Sequence, residues 1–96
     1  MLNPKFNKIL TLMKDLNAKK ANDYASTEDP YSNFRQAAEF AGVTVDQVFA
    51  VLIGIKEARL RELISAGKTP NNESIQDTRI DAATYAALRA SFHLED

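Results

Sequence analysis

The fold is decided by residues 44–66, which read TVDQVFAVLIGIKEARLRELISA. Thr44 and Gln47 have the spacing of a capping box, and an apolar pattern of helical period begins directly after Thr44. The stretch therefore predicts one long helix. Its middle, residues 48–55, is apolar or small on every side, so we expect this helix to be the central and most enclosed one. Gly54 lacks a side chain and should allow another backbone, or a ligand, to come close.

Two cations interrupt the inward face of this helix. Lys56 and Arg59 are three residues apart, so both are expected on one face, where a guanidinium and an ammonium together suit a phosphate group. The alternative is that both side chains reach solvent or pair with nearby acids such as Glu57 or Glu62. The inward stripe that contains the two cations consists of Val45, Val48, Phe49, Leu52, Lys56, Arg59 and Leu63.

An amphipathic helix is predicted near the N-terminus. Asn3 can cap it and Pro4 suits its first position, and apolar residues follow at helical spacing. We expect this helix to span about 4–21. Residues 22–30 are rich in turn-forming residues and lack periodicity, so they are predicted to form a loop.

A short helix is predicted between that loop and the central helix. Asp29 is expected to cap it, Pro30 to begin it, and Gly42 to end it in the left-handed conformation. The residues expected on its inward face are Phe34, Ala37, Ala38 and Ala41.

The last helix is predicted over about 72–92. Many of its positions are alanine, which permits close packing against neighbours on more than one side. No strand pattern or internal repeat is visible in the sequence. The predicted fold class is therefore all-α: a single domain over 1–96 that resembles a four-helix bundle, with three long helices and one short one.

Composition narrows the functional classes. The chain has 96 residues, with 12 Lys and Arg against 13 Asp and Glu, so the basic excess of a nucleic-acid binder is missing. It has no cysteine and no apolar run long enough to span a membrane. We therefore expect a soluble cytoplasmic protein without membrane or nucleic-acid partners. A chain of this size buries a modest core, which makes homo-oligomerisation a natural supplement.

An acidic ladder lies on the last helix. Glu73, Asp77 and Asp81 follow one another at a spacing of one turn, so their carboxylates share a face. Carboxylates at this spacing can hold Mg²⁺ together with water and substrate phosphates. An acidic face of a helix is more often simply solvated, and the opposite charges of the two helices could also form an internal ion-pair cluster.

The order and spacing of several short motifs resemble a group of small phage and prophage proteins, the nucleotide-modification-associated domains. These are similar in turn to the all-α nucleoside-triphosphate pyrophosphatases of the MazG type, helical bundles that usually oligomerise and use magnesium held by carboxylates. The resemblance covers roughly residues 20–88. Its motifs are Lys20-Ala-Asn-Asp-Tyr24, Asp29-Pro-Tyr-Ser-Asn33-Phe34, Lys56-Glu-Ala-Arg59-Leu60 and Glu73-Ser-Ile-Gln-Asp77, followed by Asp81 and Tyr85.

The resemblance implies a MazG-like pocket and a leading function. The function is the binding of a nucleoside phosphate or nucleotide-derived signal by a phage-type protein in the cytoplasm of a bacterial host. Lys56 and Arg59 would contact phosphate, and Tyr24 would lie against the base or sugar. The positions expected to bind the ligand are Asp23, Tyr24, Asn33, Phe34, Lys56, Arg59 and Tyr85, and those expected to bind a metal, Mg²⁺, are Glu73, Asp77 and Asp81.

Two other functions remain open at the level of sequence. One is a magnesium-dependent nucleoside-triphosphate pyrophosphohydrolase, in which the acidic ladder would hold the metal and an activated water would attack the phosphate chain. The other is a module that binds and inhibits a host protein, with the charges only stabilising the bundle. Covalent nucleophilic catalysis is disfavoured, since no serine or threonine has a credible histidine partner. No catalytic residue can be assigned from the sequence.

Overall fold

The protein consists of four α-helices in a computed structural model, which describes the backbone of residues 2–24, 28–66 and 72–94 and the side chains of residues 2–20, 28–66 and 74–94. The helices, in chain order, are α1 (Pro4–Tyr24), α2 (Ser32–Ala41), α3 (Val45–Ser65) and α4 (Asn72–Phe92). Three have 21 residues and one has 10, and no strand occurs in the described ranges. The predicted all-α class, with three long helices and one short one, is confirmed.

Helix packing defines two sides of the bundle. α3 packs against α4 and α2, whereas α1 packs against α4 and α2 and, over the described residues, makes no helix-to-helix contact with α3. Over the described residues, no single helix is long and apolar enough to cross a membrane. Only α2 and α3 taken together, across a bend of 96°, reach the length and apolarity of a span.

Three predicted helix ends are confirmed by their capping geometry. The side chain of Asn3 accepts a hydrogen bond of 3.0 Å from the backbone N–H of Phe6. Thr44 and Gln47 form the reciprocal capping box, with hydrogen bonds of 2.8 and 3.0 Å. Gly42 ends α2 with φ of 71°, the left-handed conformation in which a residue without Cβ is not strained.

Two predicted boundaries are wrong by a few residues. α1 continues to Tyr24, so the first three residues of the predicted loop are helical. α2 begins at Ser32 rather than at Pro30. The carboxylate of Asp29 accepts a hydrogen bond of 2.9 Å from the backbone N–H of Tyr31, which closes a turn before the helix instead of capping the helix itself.

An aromatic cluster forms the centre of the core. Phe49 of α3 is fully buried, with its ring centroid 4.6 Å from that of Phe34 and 6.5 Å from that of Phe92. Tyr31 meets Phe92 edge to face at 5.2 Å, and the guanidinium of Arg35 lies 4.8 Å from the centre of the same ring. These contacts join α2, α3 and the end of α4. The other buried residues in the described part of the chain are Ala38, Ile75, Thr78, Ala82 and Thr84.

α3 is not enclosed on all sides, contrary to the prediction. Val51 is 61% exposed and Ile55 is 57% exposed, because the described neighbours of α3 cover only the opposite side of the helix. A Cβ built on Gly54 meets no atom within 4 Å, so no neighbouring backbone of the described chain comes close to Gly54. Ala37 and Ala41 of α2 are exposed too, since this short helix buries only the stripe of Phe34 and Ala38.

Candidate functional site

α3 and α4 bring two of the predicted site residues into contact. The Nζ atom of Lys56 lies 3.1 Å from Oδ2 of Asp81, and the Nζ atom of Lys20, on α1, lies 4.0 Å from Oδ1 of the same carboxylate. The side chains of Lys56 and Asp81 are 26% and 21% exposed. We call these three residues the Asp81 cluster. Each of its charges is partly shielded from water, so each interaction is stronger than at an open surface.

The other residue of each predicted pair, Arg59 on α3 and Asp77 on α4, is not part of the Asp81 cluster. Arg59 is exposed, and so is Asp77. Three residues rotate a helix by about 300°, so Arg59 is turned by about 60° from Lys56 towards solvent. The prediction that both cations occupy the inward stripe is therefore wrong for Arg59. The alternative partners considered for Lys56 were Glu57 and Glu62. In the structure the ammonium of Lys56 pairs with Asp81 instead.

A groove of about 440 Å³ lies beside the Asp81 cluster, between α1 and α4. It carries three carboxylates and the ammonium of Lys19, with apolar side chains as its floor. Asp15 and Lys19 come from α1, and sequence reasoning did not identify them, although they lie four residues apart on one helix face. We call it the charged groove, and its lining residues are Leu12, Asp15, Leu16, Lys19, Asp77, Ile80 and Asp81.

The predicted metal ligands are only partly placed. The side chain of Glu73 lies outside the described residues, and no group of three or more His, Asp or Glu side chains within the described part of the chain is arranged to hold a metal ion. Asp77 and Asp81 both line the charged groove. Mg²⁺ often takes only one or two carboxylates from a protein while phosphate oxygens and water complete its shell, and Asp77 and Asp81 match that number.

The remaining predicted ligand residues are dispersed. The side chains of Asp23 and Tyr24 lie outside the described residues, and Asn33 is exposed on α2. Phe34 belongs to the aromatic core through its contact with Phe49. Tyr85 is half-buried on α4, one turn after Asp81.

A second cavity, of about 430 Å³, opens between α1, α2 and α4. Its walls are mainly apolar, and one wall includes Phe34 of the core. The hydroxyl groups of Tyr31 and Ser91 are 2.7 Å apart at its side. We call it the apolar cavity, and its lining residues are Leu10, Met13, Lys14, Asn17, Pro30, Tyr31, Phe34, Thr84, Ala87, Leu88 and Ser91.

The shortest ion pair of the described chain joins the start of α3 to the end of α4. Arg89 holds Asp46 with two hydrogen bonds of 2.7 and 2.6 Å, and Nε2 of His93 lies 3.0 Å from the same carboxylate. Sequence reasoning missed this cluster. One sequence signal could have indicated the pair. Asp46 lies in the first turn of α3 and Arg89 in the last turn of α4, and the helix dipole favours each charge at its position.

We expect this cluster to make stability depend on pH in the acid range. Hydrogen bonds from Arg89, then from His93, lower the pKa of Asp46 from 3.8 to about 2. Because the pKa is lower in the folded state, the contribution of Asp46 is present above about pH 4 and is lost as pH falls towards 2. Urea midpoints measured from pH 6 to about 2 should therefore fall more steeply for the wild type than for Asp46→Asn.

The control for this titration is Glu57→Gln, which removes an exposed carboxylate from the same helix. The gap between wild type and Asp46→Asn should close as pH falls through the range in which Asp46 becomes protonated. Parallel curves for these two proteins would contradict the assignment.

Comparison of the chain with protein-family models, with curated proteins and with solved structures gave no match.

Proposed function

We propose that this protein binds a nucleoside phosphate, or a small signal derived from one, in the charged groove next to Lys56. The observation that carries the proposal is the half-buried Asp81 cluster, in which two ammonium groups from different helices meet at one carboxylate. A charge held away from water needs a partner, and among the described residues Asp81 is the carboxylate that lies within ion-pair distance of both lysines. Phosphate oxygens supply acceptors for the ammonium protons that one carboxylate leaves unused.

Each side chain has a role that its position suggests. Lys56 and Lys20 would contact phosphate, with Lys19 of the groove adding a third positive charge. Asp81 would hold Lys56 in place, as its 3.1 Å contact indicates. Asp77 would accept hydrogen bonds from sugar hydroxyls, or would share a Mg²⁺ ion with the phosphates.

The biological context that we propose for this protein comes from its resemblance to a phage family. The motifs around Lys56, Arg59 and Asp77 resemble those of the phage nucleotide-modification-associated domains, so we propose a phage-type protein that acts in the cytoplasm of a bacterial host. Tyr24 would lie against the base or sugar. Binding, rather than turnover, is the function that these contacts support best.

The test is isothermal titration calorimetry with a panel of nucleoside mono-, di- and triphosphates and cyclic dinucleotides, with and without Mg²⁺. At least one of them should bind the wild type, and Lys56→Ala should weaken its affinity about tenfold to a hundredfold, because a charge-assisted hydrogen bond contributes roughly 1.5–3 kcal/mol. Arg79→Gln is the control: it removes a positive charge from the exposed face of α4 and should bind like the wild type. No binding by any compound would refute the proposal.

A second candidate is a nucleoside-triphosphate pyrophosphohydrolase. Three carboxylates from two helices line the charged groove, and a Mg²⁺ ion bound there would neutralise charge on the phosphate chain. The same nucleotide panel decides between the two functions. Release of pyrophosphate from deoxynucleoside triphosphates in Mg²⁺, abolished in Asp77→Asn, would favour the enzyme.

A further inference from the structure

The apolar cavity between α1, α2 and α4 is a space that the proposed nucleotide site leaves unused. Its volume of about 430 Å³ lies within the range of about 300–1,000 Å³ that is usual for small-molecule sites. Leu10, Met13, Phe34 and Leu88 contribute apolar side chains to its wall. Among the described residues, none lines both this cavity and the charged groove, so the two are separate spaces.

The cavity is elongated, because it follows two antiparallel helices. Lys20 of α1 lies near Asp81 of α4, whereas the cavity lies between residues 10–17 of α1 and residues 84–91 of α4. Position along α4 therefore advances as position along α1 falls back. The lining covers seven residue steps on each helix, which is about 10 Å at a rise of 1.5 Å per residue.

The hydroxyl groups that line the cavity use their protons within the protein. The hydroxyl of Thr84 donates a hydrogen bond of 2.8 Å to the carbonyl oxygen of Ile80. The hydroxyl of Ser91 donates one of 2.7 Å to the carbonyl oxygen of Leu88. Because a serine hydroxyl has one proton, Tyr31 is the donor in the 2.7 Å hydrogen bond between Tyr31 and Ser91.

The side-chain donors that remain on the described lining are the ammonium of Lys14 and the amide of Asn17. They lie three residues apart on α1 and so share a face. Among the described residues, no carboxylate lies within ion-pair distance of Lys14. One half of the α1 wall therefore offers a positive charge and an amide donor, and the other half, with Leu10 and Met13, is apolar.

We propose that the apolar cavity binds an unbranched aliphatic carboxylate of about eight to ten carbon atoms. Its carboxylate would accept hydrogen bonds from Lys14 and Asn17, and its chain would lie along the apolar wall. An extended chain advances about 1.2 Å per bond, since the three backbone bonds of one residue span about 3.3–3.6 Å, so this length fills the cavity. The proposal is independent of nucleotide binding, because the two spaces share no described lining residue.

The charge of the ligand follows from the charge of the lining. Lys14 is the one ionised side chain among the described residues that line the cavity, so it can compensate one negative charge. A carboxylate carries a single charge. A phosphate monoester carries about −1.5 to −2 at neutral pH and would bring a second charge without a partner.

The apolar wall should supply most of the affinity. Leu10 is 37% exposed, and an alkyl chain laid against it removes apolar surface of both the protein and the ligand from water. Each methylene group that moves from water into the cavity should lower the dissociation constant about fourfold.

The test is isothermal titration calorimetry of the full chain with hexanoate, octanoate and 1-octanol, at concentrations at which no micelles form. Octanoate should bind one molecule per chain, about 15-fold more tightly than hexanoate, because two more methylene groups are buried. 1-Octanol has the same chain length without the charge and should bind about tenfold more weakly than octanoate.

Lys14→Met tests the contact with the carboxylate. Methionine keeps an unbranched side chain but removes the charge, so the affinity for octanoate should fall about tenfold while that for 1-octanol stays the same. Lys8→Met is the matched control. Lys8 is exposed and lies about 180° around α1 from Asn17, so its loss should leave both affinities unchanged.

Ala87→Leu tests the position of the chain. Ala87 lines the cavity and is exposed, so a larger side chain there should fill part of the space and weaken octanoate binding at least tenfold. Leucine is a good helix former, so the helical circular dichroism should be kept. Ala86→Leu makes the same change at an exposed position that does not line the cavity and should bind like the wild type.

Three results would each overturn the proposal. The first is a wild type that does not bind octanoate in a saturable way. The second is equal affinity for octanoate in Lys14→Met and Lys8→Met. The third is equal affinity in Ala87→Leu and Ala86→Leu, since the chain would then lie outside the apolar cavity.

Discussion

Phe49→Ala is expected to lower the free energy of unfolding by about 3–5 kcal/mol, the usual cost of emptying a buried phenylalanine site. Phe49 is fully buried and its ring contacts those of Phe34 and Phe92, so the substitution removes the contact that joins α2, α3 and α4. A domain of this size has roughly 5–15 kcal/mol of stability in total. Urea denaturation followed by circular dichroism at 222 nm measures the loss.

Phe40→Ala is the matched control for this prediction. It makes the same chemical change on α2, but Phe40 is 96% exposed, so the stability of the monomer should change by less than about 0.5 kcal/mol. Measurements at low protein concentration keep self-association out of the comparison. Similar losses for the two variants would show that Phe49 is not the centre of the core.

The Lys56–Asp81 pair is expected to show a coupling energy of about 1–3 kcal/mol in a double-mutant cycle of Lys56→Met and Asp81→Leu. Each single substitution leaves a partly buried charge with weaker compensation, because the remaining contact from Asp81 to Lys20 is 4.0 Å. The double variant removes both charges, so it should lose less stability than the sum of the two single variants.

An exposed ion pair provides the control for this cycle. Arg35 and Asp29 lie 2.9 Å apart, but their side chains are 54% and 35% exposed. Solvent screening should limit their coupling energy to less than about 1 kcal/mol in the equivalent cycle. If both cycles give the same small coupling, Lys56 and Asp81 behave as surface charges, and the main observation behind the nucleotide site is lost.

Local sequence features predicted the fold correctly because they act over a few residues. The capping box of Thr44 and Gln47, the cap at Asn3 and the left-handed Gly42 all depend on hydrogen bonds within one or two turns. The start of α2 was missed because Asp29 could serve either a helix cap or a separate turn, and both use the same type of hydrogen bond.

The arrangement around the charged residues was only partly predictable. The contact between Lys56 and Asp81 was predictable, because two helices carry stripes of opposite charge. The exposure of Arg59 was not, because it depends on how far α3 is rotated about its axis, which the stripe pattern does not resolve. The pairing of Asp46 with Arg89 spans 43 residues and requires the relative position of two helix ends. A helix segment that is apolar on all sides also does not indicate which of its faces is buried and which is exposed to solvent. Val51 and Ile55 are apolar but exposed.

α1 forms one wall of both cavities, and this shared wall has a thermodynamic consequence. Leu10 and Met13 line the apolar cavity, while Leu12 and Leu16 line the charged groove. A molecule bound in either place would contact α1 and α4 together and so would stabilise the packing of α1 against α4. Two compounds, one in each space, would thus increase each other's affinity without contact between them. The first compound to bind fixes α1, so the second binds with a smaller loss of conformational entropy.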